Sequence, residues 1–223
     1  MTKISPTRQR RTESLTREQI IDAAIALLDS GGEAGLTFRT LSESLATGPG
    51  ALYGHIANKR DLLAAACDAI ISRKVDLHER HPTPQDAVRA IALAMFDAMD
   101  AHPWVGAALT WSAGQLTMVR ILERIGQQLI TLKVPEDQRW ATVSALLNYI
   151  LGVGGQNASN AQLAQARGAN RADVLGAVAT AWSALDAQAY PFVRSVADQM
   201  RVHDDRADFV VGIDLILAGL AGR

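Results

Sequence analysis

Cysteine is almost missing from this 223-residue chain, in which Cys67 is the only one. A disulfide framework and a thiolate metal cluster are therefore excluded, because each needs several cysteines. An excess of charge of one sign is missing as well, since 22 lysines and arginines face 23 aspartates and glutamates. A protein coated with positive charge for nucleic acid is thus excluded, and any nucleic-acid site has to be a local patch.

Strand-forming features are scarce too. Aromatic residues make up only 5% of the chain, and no segment alternates apolar and polar residues between turn signals. Apolar residues recur instead at the 3.6-residue period of amphipathic helices. The sequence predicts an all-α fold in which an N-terminal helix-turn-helix domain (15–62) continues through a long fourth helix into a C-terminal helical body (63–223), preceded by a basic arm (1–14).

One uncharged run, the 27 residues Trp140–Ala166, is long enough to cross a membrane. Six asparagines and glutamines interrupt this run, and amide side chains are unfavourable in lipid. We therefore interpret it as a buried helix and expect no membrane among the partners. Residues 1–11 are polar and basic without an apolar core, so no secretory signal is expected and a cytoplasmic location is favoured.

Three helices are predicted near the amino end, followed by a fourth. Thr16 and Gln19 have the spacing of a capping box at the start of the first helix. Thr37 is the expected N-cap of the second helix, and Pro49 opens a very short third helix. A four-residue break at 46–49 separates the second and third helices, which is typical of a helix-turn-helix. In that motif the neighbouring helices hold the short one outward for a major groove.

The block from Leu15 to Ile70 resembles the DNA-binding domain of tetracycline-repressor (TetR) family regulators. Its most specific piece, ALYGHIANKRDLL at 51–63, is similar to the family's recognition helix and the entry to its fourth helix. The segments LLNYILGVGG and RADFVVGIDLILAGLAGR resemble, more loosely, the tetracycline-repressor type of C-terminal body. The chain departs from the family pattern at the turn, where a glycine is usual at the position of Ala46.

The resemblance implies a ligand-responsive transcriptional regulator, most simply a repressor. Such a protein binds a pseudo-palindromic operator in double-stranded DNA as a homodimer, and a small apolar or amphipathic effector releases it. Two copies would place their recognition helices in successive major grooves, about 34 Å apart.

The resemblance also assigns residues of the helix-turn-helix to DNA contact. The tyrosine and lysine that match Tyr53 and Lys59 typically hold phosphates, and Lys59 stands at a helix N-terminus, which favours an anion. Gly48 to Ala51 have no side-chain donors, so base reading there has to use apolar contact with a thymine methyl or backbone groups. A packing or solvated role remains open for each residue taken singly. The predicted DNA-binding residues are Arg39, Thr40, Thr47, Gly48, Pro49, Gly50, Ala51, Tyr53, His55 and Lys59.

The C-terminal body carries bulky or amphipathic side chains in an alanine-rich frame, a composition that can leave a cavity for a small molecule. His102 or Asn148 could orient a ligand there, although these residues could equally well fill the core. That a pocket exists at all is implied by the resemblance. The predicted ligand-binding residues are Phe96, Met99, His102, Trp104, Trp111, Met118, Asn148 and Trp182.

The resemblance further implies a dimer built by the late helices as a four-helix bundle. A stripe of apolar residues near the C-terminus has the 4-3-4 spacing of a helix–helix seam. A glycine inside the long helix lowers helix stability, and close approach of another helix could compensate for that loss. The stripe could also face the chain's own core. The predicted dimer residues are Gly152, Phe209, Ile213, Ile216 and Leu220.

Catalytic motifs are missing, since the sequence has no G-x-S-x-G, no H-E-x-x-H and no P-loop. We therefore expect no enzyme, no cofactor and no metal site. Two alternatives stay open, a helical carrier or enzyme for an apolar molecule and a protein-binding adaptor that uses the helix-turn-helix as its surface. The arm with Lys3, Arg8, Arg10 and Arg11 is either a solvated tail or an extension that reaches DNA phosphates or the minor groove.

Overall fold

A computed structural model describes residues 15–75, 81–110 and 116–221 of the chain. These residues form twelve helices and no strand, so the predicted all-α class is confirmed. They divide into two compact units, of which the first ends at Ala66 and the second begins at Cys67. The helices are α1 (Arg17–Gly35), α2 (Phe38–Ser44), α3 (Pro49–Tyr53), α4 (Lys59–Lys74), α5 (Pro84–Ala101), α6 (Trp104–Thr110), α7 (Leu116–Thr131), α8 (Glu136–Ala166), α9 (Arg171–Ser183), α10 (Pro191–Ser195), α11 (Ala197–Met200) and α12 (Asp205–Ala221).

Side chains at the helix starts fix where the first two helices begin. The Gln19 backbone N–H donates to Thr16 Oγ1 at 3.2 Å, and the Thr16 N–H donates to Gln19 Oε1 at 2.9 Å. Thr37 and Thr40 make the same reciprocal pair of bonds at α2, both at 3.0 Å. These contacts satisfy amide groups that have no partner inside the helix, so a capping box sets the register of each helix, the one at Thr16 as predicted.

The interior of the first unit is formed by aliphatic side chains of α1 to α4. Ile20 and Leu28 of α1 meet Leu41 of α2 and Leu52 of α3 in this core, and all four are almost fully buried. Gly32 interrupts α1 with φ 59°, a left-handed conformation that favours glycine. The regular helix therefore stops near Gly31 and Gly32, and one further helical turn follows to Gly35.

The second unit is organised around α5 and α8. The helix α5 packs against α7, α8 and α12, and α9 packs against the short α11. Gly106 of α6 and Gly154 of α8 both lie against the Met99 side chain of α5, which allows the three helices to approach closely. Within the described residues, no helix is both long enough and apolar enough to cross a membrane.

One helix prediction in the second unit needs correction. The hydrophobic pattern predicts a single helix from Pro191 to about Val202, but the segment forms α10 and α11 with a break at Val196. A single broken turn leaves hydrophobic periodicity almost unchanged, so the pattern alone could not show this break. The pattern also predicts a fourth helix from Lys59 to about Arg80; α4 is described as far as Lys74, and 76–80 lie outside the described residues.

Candidate nucleic-acid interface

The turn between α2 and α3 is a Schellman motif, which ends α2 sharply. The Ala46 N–H donates to the Glu43 carbonyl at 3.2 Å, and the Thr47 N–H donates to the Ser42 carbonyl at 3.0 Å. This geometry requires a left-handed residue at Ala46, whose φ is 49°. The departure from glycine noted above therefore leaves the turn intact, with backbone strain at Ala46.

The helix α3 is anchored on one side and open on the other. Leu52 is fully buried and fixes the helix to the core, while Gly48, Pro49, Gly50 and Ala51 are all exposed. A Cβ added at Gly50 would meet nothing within 4 Å, which shows how open this face is. The outward side of α3 is thus a flat apolar surface that a groove of DNA could cover.

Tyr53 projects from the end of this helix in a fixed orientation. Its side chain is 61% exposed, yet one face of its ring stacks on Phe38 with ring centroids 4.9 Å apart and an angle of 9° between the planes. His55, two residues further along, is exposed as well. Stacking on α2 leaves the phenol hydroxyl facing outward without a large loss of side-chain entropy on binding.

The two residues near the start of α2 that were predicted to contact DNA have different surroundings. Arg39 is exposed and pairs with Glu43 at 2.9 Å, a pair that raises the pKa of the guanidinium through the hydrogen bond to Glu43. The Thr40 hydroxyl donates to the Gly35 carbonyl at 2.9 Å and accepts the Thr37 N–H, so it serves the helix cap. The structure brings Arg39 together with the half-buried Thr47 and with Pro49 along one surface cleft of about 370 Å³.

Lys59 stands at the first position of α4, as expected. Asn58 caps this helix by accepting the Asp61 N–H at 2.9 Å, and the Asp61 carboxylate accepts the Ala57 N–H at 3.0 Å. The Lys59 ammonium donates to the Glu33 carbonyl near the end of α1 at 2.6 Å. An ammonium has three N–H donors, so this bond positions the cation and leaves two donors for an anion. The basic arm at 1–14 lies outside the described residues.

The residues predicted to bind a ligand are mostly part of the packed interior. Phe96, Met99, Trp104 and Met118 are buried, and Met99 and Phe96 meet beside Gly154. The Phe96 ring lies 4.8 Å from that of Phe209, and His102 lies 6.3 Å from Trp104 between ring centroids. Asn148 is exposed and Trp182 is half-buried, apart from this buried group, and Trp111 lies outside the described residues.

The predicted dimer residues divide between interior and surface. Phe209 and Ile213 are each 1% exposed because α12 packs on α5 and α8, with Phe209 stacked against Tyr149 at 5.6 Å. These two are therefore core residues of their own protomer, and the seam interpretation of them is corrected. Ile216 and Leu220 are half-buried, and Gly152 is exposed. The open apolar positions of α12 are instead Val211 and Leu215, the latter 70% exposed.

A charged network around the start of α12 has no signature in the sequence. Both ring nitrogens of His203 lie 2.9 Å from carboxylates, those of Asp205 and Asp208. Arg171 of α9 pairs with Asp205, and Arg206 donates two hydrogen bonds, of 2.8 and 3.0 Å, to the carboxylate of Asp97 in α5. These contacts tie α12 to α5 and α9. Among the described residues, no group of three or more histidine, cysteine, aspartate or glutamate side chains could hold a metal ion.

The arrangement of the first unit defines a class of protein, the helix-turn-helix regulators. Two family models match the chain: "Bacterial regulatory proteins, tetR family" over residues 20–66 and "Tetracyclin repressor-like, C-terminal domain" over residues 80–223. Because the second model alone matches more than half of the chain, the protein belongs to the TetR family of transcriptional regulators. The family consists of DNA-binding regulators, which are not enzymes.

Individual relatives agree with this assignment. A TetR transcriptional regulator from Streptomyces coelicolor is 48% identical, with a TM-score of 0.83 over 92% of this chain and 97% of that one. An HTH-type transcriptional regulator of Saccharopolyspora erythraea is 29% identical over 66% of this chain, and the alignment covers 63% of that relative. The fold is shared with ActR of S. coelicolor, solved with actinorhodin (22% identity, 94% of this chain and 96% of that one, TM-score 0.76). It is shared also with BioQ bound to its double-stranded DNA operator (23% identity, 94% of this chain and 99% of that one, TM-score 0.64).

Proposed function

We propose that this regulator is a repressor that binds a pseudo-palindromic operator as a homodimer and leaves it when a small effector binds the second unit. The observation that carries the proposal is the outward face of α3, which is exposed from Gly48 to Ala51 and flanked by Tyr53 and Lys59. An apolar surface between two phosphate-binding side chains fits a major groove, because base edges are exposed inside the groove and phosphates line its two sides.

The proposed contacts separate into two kinds. Tyr53 and Lys59 would bind backbone phosphates, because the first presents a hydroxyl on a stacked ring and the second presents two spare N–H donors. Pro49 and Ala51 would contact thymine methyl groups, since neither has a polar side-chain atom. The remaining predicted residues, Arg39, Thr47 and His55, would extend the footprint along the phosphates, whereas Thr40 would act through the helix cap.

One general argument and one observation support a homodimer as the DNA-binding form. One helix-turn-helix reads one half-site, so a palindromic site needs two copies. Val211 and Leu215 on α12 and Trp140 and Leu163 on α8 leave large apolar side chains in water, which a second copy would cover. We propose that this surface is the interface, with Gly152 on α8 within it. Leu215→Glu should then lower the mass in sedimentation experiments to that of a monomer.

The effector part of the proposal rests on the division of the chain into two units and on its family. The ActR structure holds actinorhodin, and we infer that the second unit of this chain takes a small molecule in the same general way. Release requires the effector to bind the DNA-incompetent conformation more tightly than the DNA-bound one. A DNA-binding regulator works where the DNA is, which makes the cytoplasm its proposed location.

The experiment is footprinting and titration on the DNA that flanks the protein's own gene, at graded salt concentrations. A protein that contacts several phosphates loses affinity steeply with salt, with a log–log slope of about −0.9 per phosphate. Lys59→Gln removes one phosphate contact, so the slope should become less negative by about 0.9, and by the same amount for every DNA sequence. Lys133→Gln, in the second unit, should leave the slope unchanged. A protein-binding adaptor or a carrier would show no saturable, salt-dependent DNA binding, and that result would overturn the proposal.

A further inference from the structure

A cationic groove runs between the last turn of α4 and the helix α7, entirely within the second unit. Its volume is about 910 Å³, which is large enough for a drug-sized molecule. Four of the side chains that line it are basic, namely Arg73, Lys74, Arg120 and Arg124, while Glu123 is the single acidic one among the described lining residues. The lining residues that the structure describes thus carry a formal charge of +3, in a chain whose net charge is −1.

The wall of the groove is apolar beneath this rim. Ile71 and Val75 are buried and line it from α4 and the residue after that helix, and Val119 adds an exposed isopropyl group from α7. A small inorganic anion would use the charge and leave the exposed Val119 side chain in water. An organic anion with a hydrocarbon or aromatic body would cover both, which gains the favourable free energy of apolar burial.

A polar group in the first turn of α7 points to a bound ligand independently of the charge. Thr117 lines the groove and is only 7% exposed, yet its hydroxyl has no hydrogen-bond partner among the described residues. Buried hydroxyl groups almost always have one. The first turn of α7 that the structure describes contains no acidic residue that would repel an anion. A carboxylate placed here would accept the Thr117 O–H and lie beside Arg120.

We propose that the α4–α7 groove is the binding site of an amphipathic organic anion, and that such anions are the effector class of this regulator. The effector role rests on the proposed function, whereas the binding site does not depend on it. Lys74 and Arg120 attract the carboxylate, Thr117 hydrogen-bonds it, and Val119 covers the apolar body. Because α4 also supplies Lys59 at its other end, a ligand wedged against its last turn acts on the helix that carries a DNA-contact residue.

The test is calorimetric titration of the full-length protein, without DNA, with naphthalene-2-carboxylate and with its neutral counterpart 2-naphthylmethanol. The carboxylate should bind saturably and the alcohol at least tenfold more weakly. The double variant Lys74→Gln/Arg120→Gln should weaken the carboxylate more than tenfold, and Thr117→Val about tenfold, as expected for a lost bond to a charged group. Arg167→Gln, an exposed cation at the end of α8, is the matched control and should bind as the unaltered protein does.

Equal affinity for the alcohol, an unaffected double variant or no saturable binding up to millimolar concentration would overturn the site. The effector role is decided separately by adding naphthalene-2-carboxylate to the operator titration. It should lower DNA affinity in the unaltered protein and leave the double variant unaffected, and an unchanged DNA affinity with the carboxylate bound would overturn the effector role. A protein that binds no DNA at all contradicts the proposed function, while the DNA-free titration still decides the site.

Discussion

Replacing Ala46 by glycine should stabilise the helix-turn-helix, although the same replacement destabilises most helical positions. Ala46 occupies the left-handed region with φ 49°, where the Cβ of an L-residue lies too close to the following carbonyl oxygen. That conformation costs about 1–2 kcal/mol, and glycine avoids it. Glycine also has more freedom in the unfolded chain, which offsets about 0.4–1 kcal/mol of the gain. The expected net effect is a stabilisation of about 0.5–1 kcal/mol.

The matched control is Ala26→Gly, an exposed alanine inside α1. There the φ is ordinary and the same change should destabilise the unit by about 1 kcal/mol. The two variants have identical compositions, so their difference isolates the backbone conformation at Ala46.

The measurement is native-state hydrogen exchange of the amides in α1 and α2, read by mass spectrometry at fixed protein concentration. All four tryptophans of the chain lie beyond Ala66, so fluorescence would report the second unit instead. Protection in the first unit should increase about 2- to 5-fold for Ala46→Gly and decrease about 5-fold for Ala26→Gly. If both variants lose protection equally, the left-handed turn is not the native conformation and the strain argument fails.

Three further predictions concern the second unit. Gly212→Ala should destabilise it by about 1 kcal/mol or more in urea unfolding, because the new Cβ would overlap the Tyr149 ring. Gly126→Ala, with open space around the glycine, should instead stabilise the unit by about 0.5–1 kcal/mol. Stabilisation at both sites would contradict the packing around Gly212. Thr117→Val should stabilise the ligand-free protein by about 1 kcal/mol, since it removes a buried hydroxyl without a partner, and a loss in thermal unfolding would refute this. Hydrogen bonds from the backbone N–H groups of Ala207 and Arg206 lower the pKa of Asp204, so the stability that its charge provides is present above about pH 4 and is lost as the pH falls through the lower folded value. Asp204→Asn keeps the cap without a titrating group, so the unfolding midpoints of this variant and of the unaltered protein should approach each other as the pH falls below about 4. A difference between the two midpoints that stays constant down to pH 3 would count against the role of the charge.

Helix starts could be predicted from the sequence because their signals are local. Thr16 and Thr37 each accept an amide three residues away, and such bonds depend on a few neighbouring residues only. The class of fold and the family followed from the same local patterns together with the block at 51–63. These predictions are confirmed by the structure and by the family models.

The finer geometry depends on contacts between residues that are distant in the chain. The bond from Lys59 to the Glu33 carbonyl joins residues 26 positions apart, and no local pattern predicts it. The stripe containing Phe209 has the spacing of a seam in either environment, and only the packing of α12 on α5 and α8 shows that it faces inward. The charges of the α4–α7 groove come from two helices about 50 residues apart, so neither segment looks like a basic patch alone.

The bare outer side of α3 also bears on how such a regulator could change its target over time. Side chains longer than hydrogen or methyl can be introduced at Gly50 and Ala51 without disturbing Leu52, because they would extend into solvent. Glutamine or arginine at these positions would add a base-specific bond and leave the proposed phosphate contacts of Tyr53 and Lys59 unchanged. Duplicated copies of this gene could therefore acquire new operators through single substitutions that leave the fold unchanged.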